Sequence, residues 1–404
     1  MWPRAAGVTP LLRAPAPNAP GIAVVDSGVD YRRNADFGDR VTNVDFTCLS
    51  CAHPDKNGHG TLVAGIAAGE SSYAPGASPT SSIVSLRVVN SDGSAYLSDV
   101  ISAADWIFTN RFAYNIRVAN FSLSSAFPGY ALSDPLDAAV RNLWLTGTVV
   151  VAAAGNNGPG RMIYAPANDP FVITVGASDI VDTVGRSDDG APSWTSYGYT
   201  PEGFAKPEIA APGRYMVGPV PPNSTLAQLF TDHLTNARYM YLSGTSFAAP
   251  VVTGIAAQIL ARHPGWTPDQ LKGALMKTAT TAPFASPLSL GLGEVDGAAA
   301  AAVVHPPNPN VGLNRFVGTA SSGAPYFDAD AWNAYVANNA SWTNASWTDA
   351  SWTDASWTDA SWTDASWTDA SWTDASWTDA SWTDASWTDA SWTDASWTNV
   401  NNGD

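Results

Sequence analysis

Between residues 21 and 304, short apolar runs without polar alternation are separated by longer segments with helical periodicity. Strands that are apolar throughout are buried on both faces, which is typical of a parallel sheet covered by helices. Alternation of strand and helix therefore predicts an α/β domain with a doubly wound, mostly parallel sheet and helices on both faces. The predicted strands span 21–25, 83–89, 118–123, 148–153 and 172–175, and the predicted helices span 59–68, 98–112, 134–145, 246–261 and 268–278.

The chain outside this region divides into three further parts. Residues 1–20 form a lead rich in Pro and Ala, without the charged start, apolar run and cleavage site of a signal peptide. Residues 305–339 are rich in Pro, Asn, Gly and Ser, and we interpret them as a linker or a loosely packed extension. Residues 340–404 form a tail made almost entirely of Ala-Ser-Trp-Thr-Asp pentads.

The pentad period fits neither a regular helix nor a regular strand. Five residues advance a helix by about 140°, and an odd period makes successive Trp alternate between the faces of a strand. A disordered segment and a stacked β-solenoid with five residues per side both stay open for this tail. Twelve of the 18 Trp lie in it, and its ten pentad Asp account for more than half of the net charge of −17.

The charge balance excludes two classes of partner. The chain has 19 Lys and Arg against 36 Asp and Glu, whereas nucleic-acid binding needs clustered cations to neutralise phosphates. The same deficit of cations argues against an anionic membrane surface. No uncharged apolar run reaches the roughly 18 residues of a membrane span. We therefore expect no nucleic-acid partner and no membrane span.

Four polar residues occupy the positions where functional groups collect in such a sheet, namely strand carboxyl ends and helix starts. Asp26 and Asn156 each follow an apolar strand, whereas His59 and Ser246 each open a predicted helix. We expect Pro250 in the first turn of the helix that Ser246 opens, where a missing N–H costs little. The sequence therefore predicts that these four side chains meet at one edge of the sheet.

These four side chains are the groups that acyl transfer requires. A serine hydroxyl is a poor nucleophile until an imidazole takes its proton, and the imidazole needs a carboxylate that holds its tautomer. We expect Ser246 to attack, His59 to act as the base and Asp26 to orient it. The amide of Asn156 and the N–H of Ser246 are the predicted oxyanion donors. Taken alone, Ser246 could instead be a helix N-cap, and Asn156 could instead belong to an ordinary turn.

Five strings carry a family resemblance: VVDSGVD, GHGTLVAGIAAG, VVVAAAGNNG, KPEIAAPG and SGTSFAAPVVTG. On these strings, and on the order Asp, His, Ser, residues 21–304 resemble the subtilisin-like serine peptidases, the subtilase family. The resemblance implies a serine endopeptidase of broad specificity that requires no cofactor. It also implies that an extended polypeptide substrate binds along two short segments: Ser122, Leu123 and Ser124, and Ala153, Ala154 and Gly155.

The sequence departs from the family pattern at four places. Leu62 stands where subtilases often have a second His, and Ser124 replaces the Gly at the rim of the substrate pocket that receives the side chain before the scissile bond. The loop 70–77 is short for the family's tight calcium loop, so a structural calcium stays open and no metal ligand is assigned. The stretch 212–243 is long and predicts an added surface loop near the nucleophile.

The remaining expectations concern compartment and partners. Cys48 and Cys51 form a C-x-x-C pair without a second Cys pair for zinc, and a local disulfide in an exported protein is the favoured interpretation. We expect a secreted or cell-surface monomer whose tail contacts cell wall or carbohydrate, because similar Trp-rich tails occur on exported relatives. Two rivals stay open: an inert wall-binding protein carried by its tail, and a gene fragment that lacks a signal peptide and a pro-segment.

Overall fold

The computed structural model describes residues 1–338 except 15, 17, 31–35, 48–54, 182 and 287. The strands are β1 (Gly21–Asp26), β2 (Val41–Asp45), β3 (Ile83–Arg87), β4 (Ile116–Phe121), β5 (Val149–Ala153), β6 (Ile173–Ser178), β7 (Gly198–Tyr199), β8 (Ala205–Lys206), β9 (Ile209–Pro212), β10 (Met216–Pro219), β11 (Leu234–Asn236), β12 (Tyr239–Leu242), β13 (Val317–Thr319) and β14 (Pro325–Phe327). The α-helices are α1 (Trp2–Ala5), α2 (Val8–Arg13), α3 (His59–Ala68), α4 (Leu97–Asn110), α5 (Pro135–Leu145), α6 (Thr225–Leu229), α7 (Thr245–Arg262), α8 (Pro268–Lys277), α9 (Gly297–Ala301), α10 (Val311–Asn314) and α11 (Ala329–Asn338). A 3₁₀ turn spans Thr231–His233.

Seven strands form one parallel sheet in the order β2-β3-β1-β4-β5-β6-β9. The strands β1, β3, β5 and β6 are buried along their whole length, as expected for a sheet covered on both faces. Helices α3 and α7 pack against each other and the sheet, and α4 and α5 form a second contacting pair that also packs on it. The predicted doubly wound α/β fold with a mostly parallel sheet is confirmed.

The predicted elements correspond to observed ones within a few residues at each end. Helix α3 begins and ends where its apolar face predicted, at His59 and Ala68. Two strands of the sheet were not predicted. Strand β2 is a half-buried edge strand with mixed residues, and β9 has only four residues and ends in Pro212. Both give too short or too polar an apolar run to stand out in the sequence.

The described residues of the lead at 1–20 are part of this packed domain. Val8 and Leu11 of helix α2 are buried in the core. The Ala6 carbonyl accepts a hydrogen bond from the Gly297 amide at 2.9 Å, and Arg186 Nη2 donates to the Ala5 carbonyl at 2.9 Å. The two helices α1 and α2 therefore attach the start of the chain to the region around α9.

The segment interpreted as a linker or loosely packed extension also packs on the domain. It forms α10, the β13–β14 hairpin and α11. The Trp332 side chain is only 2% exposed and stacks on Phe204, with ring centroids 5.6 Å apart. Lys272 Nζ, which lies 2.8 Å from the buried Glu208 carboxylate, also donates to Asn310 Oδ1 at 3.3 Å. These contacts fix the extension against α8 and the sheet.

The long stretch between β9 and α7 folds into a separate small sheet. Strands β10, β12 and β11 pair antiparallel in that order, with α6 and the 3₁₀ turn between β10 and β11. We call these three strands the added sheet. Strand β10 packs on α3. Among the helices of the described residues, none is both long and apolar enough to cross a bilayer. Cys48, Cys51 and the repeat tail at residues 340–404 lie outside the described residues.

Candidate active site

The fold places the four predicted polar residues at the carboxyl edge of the parallel sheet. Asp26 is the last residue of β1, and His59 is the first residue of α3. Asn156 follows the end of β5, and Ser246 is the second residue of α7. Because β1 and β5 both lie next to β4 in the sheet, the loops that follow these strands face one region around the start of α7.

Asp26 and His59 form a direct pair. His59 Nδ1 lies 2.8 Å from Asp26 Oδ1 and 3.0 Å from Asp26 Oδ2. The Asp26 carboxylate is buried and also accepts a hydrogen bond from the Ser27 amide at 2.7 Å. A proton on Nδ1 donated to this carboxylate leaves Nε2 as the ring nitrogen that can accept one. The geometry therefore suits an orienting carboxylate and an imidazole base.

A buried carboxylate that the sequence analysis missed holds the first turn of α3. Asp55 accepts hydrogen bonds from the Gly58 amide at 2.7 Å and from the Thr61 amide and hydroxyl at 2.9 and 2.7 Å. Asp55 also accepts a hydrogen bond from the Ser27 hydroxyl at 2.8 Å. The same Ser27 oxygen accepts a hydrogen bond from the Gly60 amide at 2.9 Å. An Asp four residues before a predicted helix start is the signal that could have found it.

Close backbone contact also fixes this turn. A Cβ atom on Gly60 would lie 2.3 Å from the Gly28 carbonyl oxygen, so no larger residue fits there. Gly58 has a φ of 102°, which favours glycine, and a Cβ on it would lie 2.6 Å from Ser224 Oγ. The glycines on both sides of His59 therefore let two other segments approach the histidine backbone.

The environment of His59 raises its pKa above the ordinary value of 6.5. Burial alone lowers the pKa, because it disfavours the imidazolium ion. The negative charge of Asp26, its hydrogen bond to the ring and the nearby charge of Asp55 together raise the pKa more than burial lowers it. A raised pKa means that the neutral base forms only at a higher pH than for a free histidine.

We therefore expect kcat/KM for peptide hydrolysis to rise with pH through a single ionisation centred above 6.5. Below that midpoint His59 carries two ring protons and cannot accept the proton of Ser246, so the rate falls as the solution is acidified. The measurement is a pH–rate profile at substrate concentrations well below KM. An optimum below pH 5 would contradict a neutral imidazole as the base.

Reciprocal hydrogen bonds connect Ser246 to the end of β4. Ser246 Oγ donates to the Ser122 carbonyl at 3.2 Å, and Ser122 Oγ donates to the Ser246 carbonyl at 2.9 Å. The second bond has a structural reason. Because α7 begins at Thr245, Pro250 lies in its second turn and not in the predicted first turn. The proline has no N–H for the Ser246 carbonyl, and the Ser122 hydroxyl occupies that acceptor.

This connection extends into the core through a second pair that the sequence analysis missed. Asn120 Nδ2 donates to Ser122 Oγ at 2.9 Å, and Asn120 Oδ1 accepts from the Thr253 hydroxyl at 2.9 Å. Asn120 and Thr253 are both fully buried. A series of hydrogen bonds therefore runs from Thr253 in the middle of α7, through Asn120 and Ser122, to Ser246. It fixes the position of Ser246 relative to the core.

Asn156 lies on the other side of the helix start. Its Oδ1 accepts hydrogen bonds from the Thr245 amide at 2.9 Å and the Thr245 hydroxyl at 3.1 Å. Its Nδ2 lies close to Gly244, since a Cβ on that glycine would be 3.4 Å from it. Because Oδ1 is held by Thr245, Nδ2 is left as a donor next to the α7 N-terminus, where the first N–H groups have no intrahelical acceptor.

The two predicted substrate segments follow neighbouring strands. Pairing between β4 and β5 ends at Phe121 and Ala152, so the segments that follow are free of that ladder. Ser122, Ala153 and Ala154 are buried, Leu123 and Gly155 are half-buried, and Ser124 is exposed. The Gly155 amide is held by Thr245 Oγ1 at 3.0 Å. The structure therefore brings all the predicted site residues to one edge of the sheet.

Comparison with known proteins identifies the family of this chain. The profile of the Subtilase family, peptidase S8, matches residues 18–293. The chain belongs to the subtilase family. The subtilases are serine endopeptidases, and the resemblance seen in the sequence is confirmed for the domain.

Individual subtilases are about one third identical to this chain over the aligned residues. Serine protease AprX from Bacillus subtilis (strain 168) is 36% identical over 273 residues, covering 64% of this chain and 60% of that protein. Subtilisin DY from Bacillus licheniformis is 31% identical over 302 residues, covering 72% of this chain and 97% of that protein. The crystal structure of a cold adapted subtilisin-like serine proteinase superposes with a TM-score of 0.51 at 31% identity, covering 65% of this chain and 83% of the other.

Two of the departures from other subtilases have a visible structural setting. Leu62 is fully buried beneath β10, where a Cβ on Gly218 would lie 2.8 Å from its Cγ. A leucine at this position therefore serves the packing between α3 and the added sheet. Ser124 is exposed at the end of its segment.

Proposed function

We propose that this chain is a serine endopeptidase that hydrolyses peptide bonds of extended polypeptides without a cofactor. The observation that supports it most is the hydrogen bond between His59 Nδ1 and buried Asp26. The ring of His59 lies 5.3 Å from that of Phe247, the residue that follows Ser246 in α7. A buried aspartate serves here to hold one tautomer of a base. The rival interpretation, an inert wall-binding protein, has no comparable observation in its favour.

The proposed reaction follows the positions of these groups. Ser246 Oγ leaves its hydrogen bond to Ser122, attacks the substrate carbonyl carbon and passes its proton to His59 Nε2. Asp26 stabilises the resulting imidazolium through Nδ1. The oxyanion accepts hydrogen bonds from the Ser246 N–H and Asn156 Nδ2. The peptide C–N bond then breaks as His59 gives the proton to the leaving amine, and a water molecule repeats the sequence on the acyl group.

We further propose how the substrate binds. An extended polypeptide lies between the segment Ser122–Leu123–Ser124 and the segment Ala153–Ala154–Gly155, and main-chain hydrogen bonds hold it as an added strand. Because such bonds do not depend on side chains, specificity is broad. The exposed Ser124 leaves room for an apolar or aromatic side chain on the residue before the scissile bond.

Compartment and metal use are part of the same proposal. We place the enzyme outside the cell or at the cell surface as a monomer. Any structural calcium would act as a stabiliser and not as a reactant, and the described residues contain no group of three or more His, Cys, Asp or Glu that could hold a metal ion. The nucleophile, base and oxyanion donors all come from the chain, so a chelator should lower thermal stability at most and leave the initial rate unchanged.

The proposed function is tested by incubating the purified chain with an unfolded polypeptide and identifying the fragments by mass spectrometry. The proposal expects internal cuts at many sites, each with a new α-amino end, and no fragments from the Ser246→Ala variant. Stepwise loss of terminal residues would contradict an endopeptidase. Absence of fragments from a folded chain would contradict peptide hydrolysis altogether.

The pentad tail is proposed to contact cell wall or carbohydrate. Its Trp rings can stack on sugar rings, and its Asp carboxylates repel each other at low salt and neutral pH. We expect truncation after residue 338 to leave the hydrolysis of a short peptide unchanged and to remove binding to bacterial cell-wall material. This boundary keeps all of α11, because the buried Trp332 and partly buried Tyr335 pack on the core.

The assay compares full-length and truncated chains for peptide hydrolysis and for sedimentation with cell-wall material. Loss of hydrolysis in a folded truncated chain would show that the tail belongs to the catalytic fold. Equal sedimentation of both chains would remove the wall-contact proposal. In the full-length chain, association between the tails of different molecules should strengthen with added salt, because screening weakens the repulsion between their Asp residues.

A further inference from the structure

A row of aromatic rings joins the end of α6, the 3₁₀ turn, strand β12 and the residue before β10. Phe230 stacks on His233 with centroids 5.4 Å apart and planes 25° apart, and His233 stacks on Tyr241 at 4.7 Å and 17°. Tyr241 then meets Tyr215 edge-on at 5.8 Å. We call these four residues the aromatic row. None of them has a part in the proposed reaction.

The first end of the aromatic row is attached to the segment before His59. The first turn of α6 forms backbone hydrogen bonds from Thr225 to the Lys56 carbonyl and from Leu226 to the Asn57 carbonyl, both at 2.9 Å. Ser224, the N-cap of α6, contacts Gly58 closely. Helix α6 leads directly into Phe230. The row therefore begins on a helix that is fixed to the residues immediately before the base.

The other end is attached to the segment before Ser246. Tyr241 lies in β12, five residues before the nucleophile. The Tyr215 amide donates to Ser243 Oγ at 2.9 Å, three residues before the nucleophile. The aromatic row is therefore linked to both segments that enter the site, through α6 to the one that precedes His59 and through Tyr241 and Ser243 to the one that precedes Ser246.

The sheet order decides which half of a substrate this surface faces. The two segments proposed to bind the acyl half follow β4 and β5, which are neighbours in the sheet and flank the start of α7 that carries Ser246. Strand β1, which ends at Asp26, lies on the other side of β4, and α3 with the added sheet packed on it follows β1. A chain that runs from the acyl half past Ser246 therefore continues toward the added sheet.

The ends of the aromatic row are open to solvent. Phe230 is 39% exposed and Tyr215 is 57% exposed, while His233 and Tyr241 between them are half-buried. An exposed aromatic edge or face accepts a further ring by offset stacking or edge-to-face contact. The two aromatic ends are held in place by the backbone bonds described above, so a ligand ring would order little further chain on binding.

We propose that the aromatic row is a subsite for an aromatic side chain on the leaving-group half of the substrate, within three residues after the scissile bond. The inference rests on the proposed endopeptidase function and adds a preference to it. Main-chain pairing makes the acyl half tolerant of sequence, whereas the aromatic row selects among side chains on the leaving half.

The test uses two internally quenched peptides with the same acyl half. One has Phe in the leaving half and the other has Ala at the same position, and the Phe is moved through the first three positions. We expect kcat/KM to favour the Phe peptide by about 3- to 10-fold at the best position, the range of one aromatic pair. Phe230→Ala and His233→Ala should each reduce this ratio to about one.

Phe284→Ala is the matched control, because Phe284 is 75% exposed and lies outside the added sheet. It should keep the wild-type ratio. Hydrolysis of both peptides at equal rates by the wild-type chain would overturn the subsite and leave the endopeptidase function standing. An unchanged ratio in both Phe230→Ala and His233→Ala would also overturn it. Failure to cut either peptide would overturn the proposed function, and the subsite with it.

Discussion

Replacing Ser246 with alanine should lower kcat by roughly 10⁶, the loss that removal of the nucleophile causes in subtilisin. The reason is that bond formation to the acyl carbon and proton transfer through His59 are one unit, so neither proceeds usefully without the hydroxyl. The fold should persist, because Ser246 Oγ makes one hydrogen bond, to the Ser122 carbonyl, worth about 1 kcal/mol.

The matched control for this replacement is Ser243→Ala, which removes an exposed hydroxyl three residues earlier on the same segment. It should keep most of the activity, since within the described residues the hydroxyl accepts one hydrogen bond, from the Tyr215 amide. Circular dichroism and thermal unfolding establish that both variants are folded, and a quenched peptide measures the rate. A folded Ser246→Ala variant with more than a hundredth of the wild-type kcat would refute the assignment of the nucleophile.

Asn156→Ala should lower kcat by about 10²–10³ and leave KM nearly unchanged, as loss of one oxyanion donor does. Nδ2 is the only donor of this side chain, and Oδ1 already accepts two hydrogen bonds from Thr245. The oxyanion exists only after attack, so loss of the Asn156 donor destabilises the transition state and leaves substrate binding unchanged. The measurement is the separate determination of kcat and KM on one peptide.

Asn157→Ala supplies the control, because Asn157 is exposed and its backbone amide makes its bond to Ser196 Oγ regardless of the side chain. The kcat and KM of Asn157→Ala should be close to those of the wild-type chain. Asn156→Ala also removes the acceptor of the Thr245 amide, so its unfolding temperature must be measured beside its rate. A wild-type kcat in a folded Asn156→Ala variant would move the oxyanion role to another donor.

The features that could be predicted from the sequence are those set by local pattern. Strand β1 and helix α3 are predicted correctly because each is marked by a nearly continuous run of small and apolar residues, and in α3 every residue after His59 is buried. The positions of Asp26 and His59 at the ends of these elements follow from the topology of a parallel sheet. Their pairing, at 2.8 Å, needed only the order of strand and helix together with the chemistry of a base and its carboxylate.

The features that could not be predicted depend on contacts between distant segments. Asn120 is paired with Thr253 across 133 positions, and no local pattern marks either as buried. In the sequence, Trp332 is one of several scattered aromatic residues in a stretch rich in Pro and Gly. In the structure it is buried against Phe204. The position of Pro250 was misjudged by one turn because helix starts are uncertain by a residue or more, and the Ser122 hydroxyl that compensates for it lies on another strand.

The central claim is that Ser246, activated by His59, is the nucleophile, and covalent labelling tests it most directly. The chain is treated with phenylmethylsulfonyl fluoride, digested with another protease and analysed by mass spectrometry for the site of modification. We expect one sulfonyl group per chain, on Ser246 alone, with a rate that rises through the same ionisation as hydrolysis. His59→Ala should abolish the labelling. Labelling of a different residue, or equal labelling of folded wild-type and His59→Ala chains, would contradict the account.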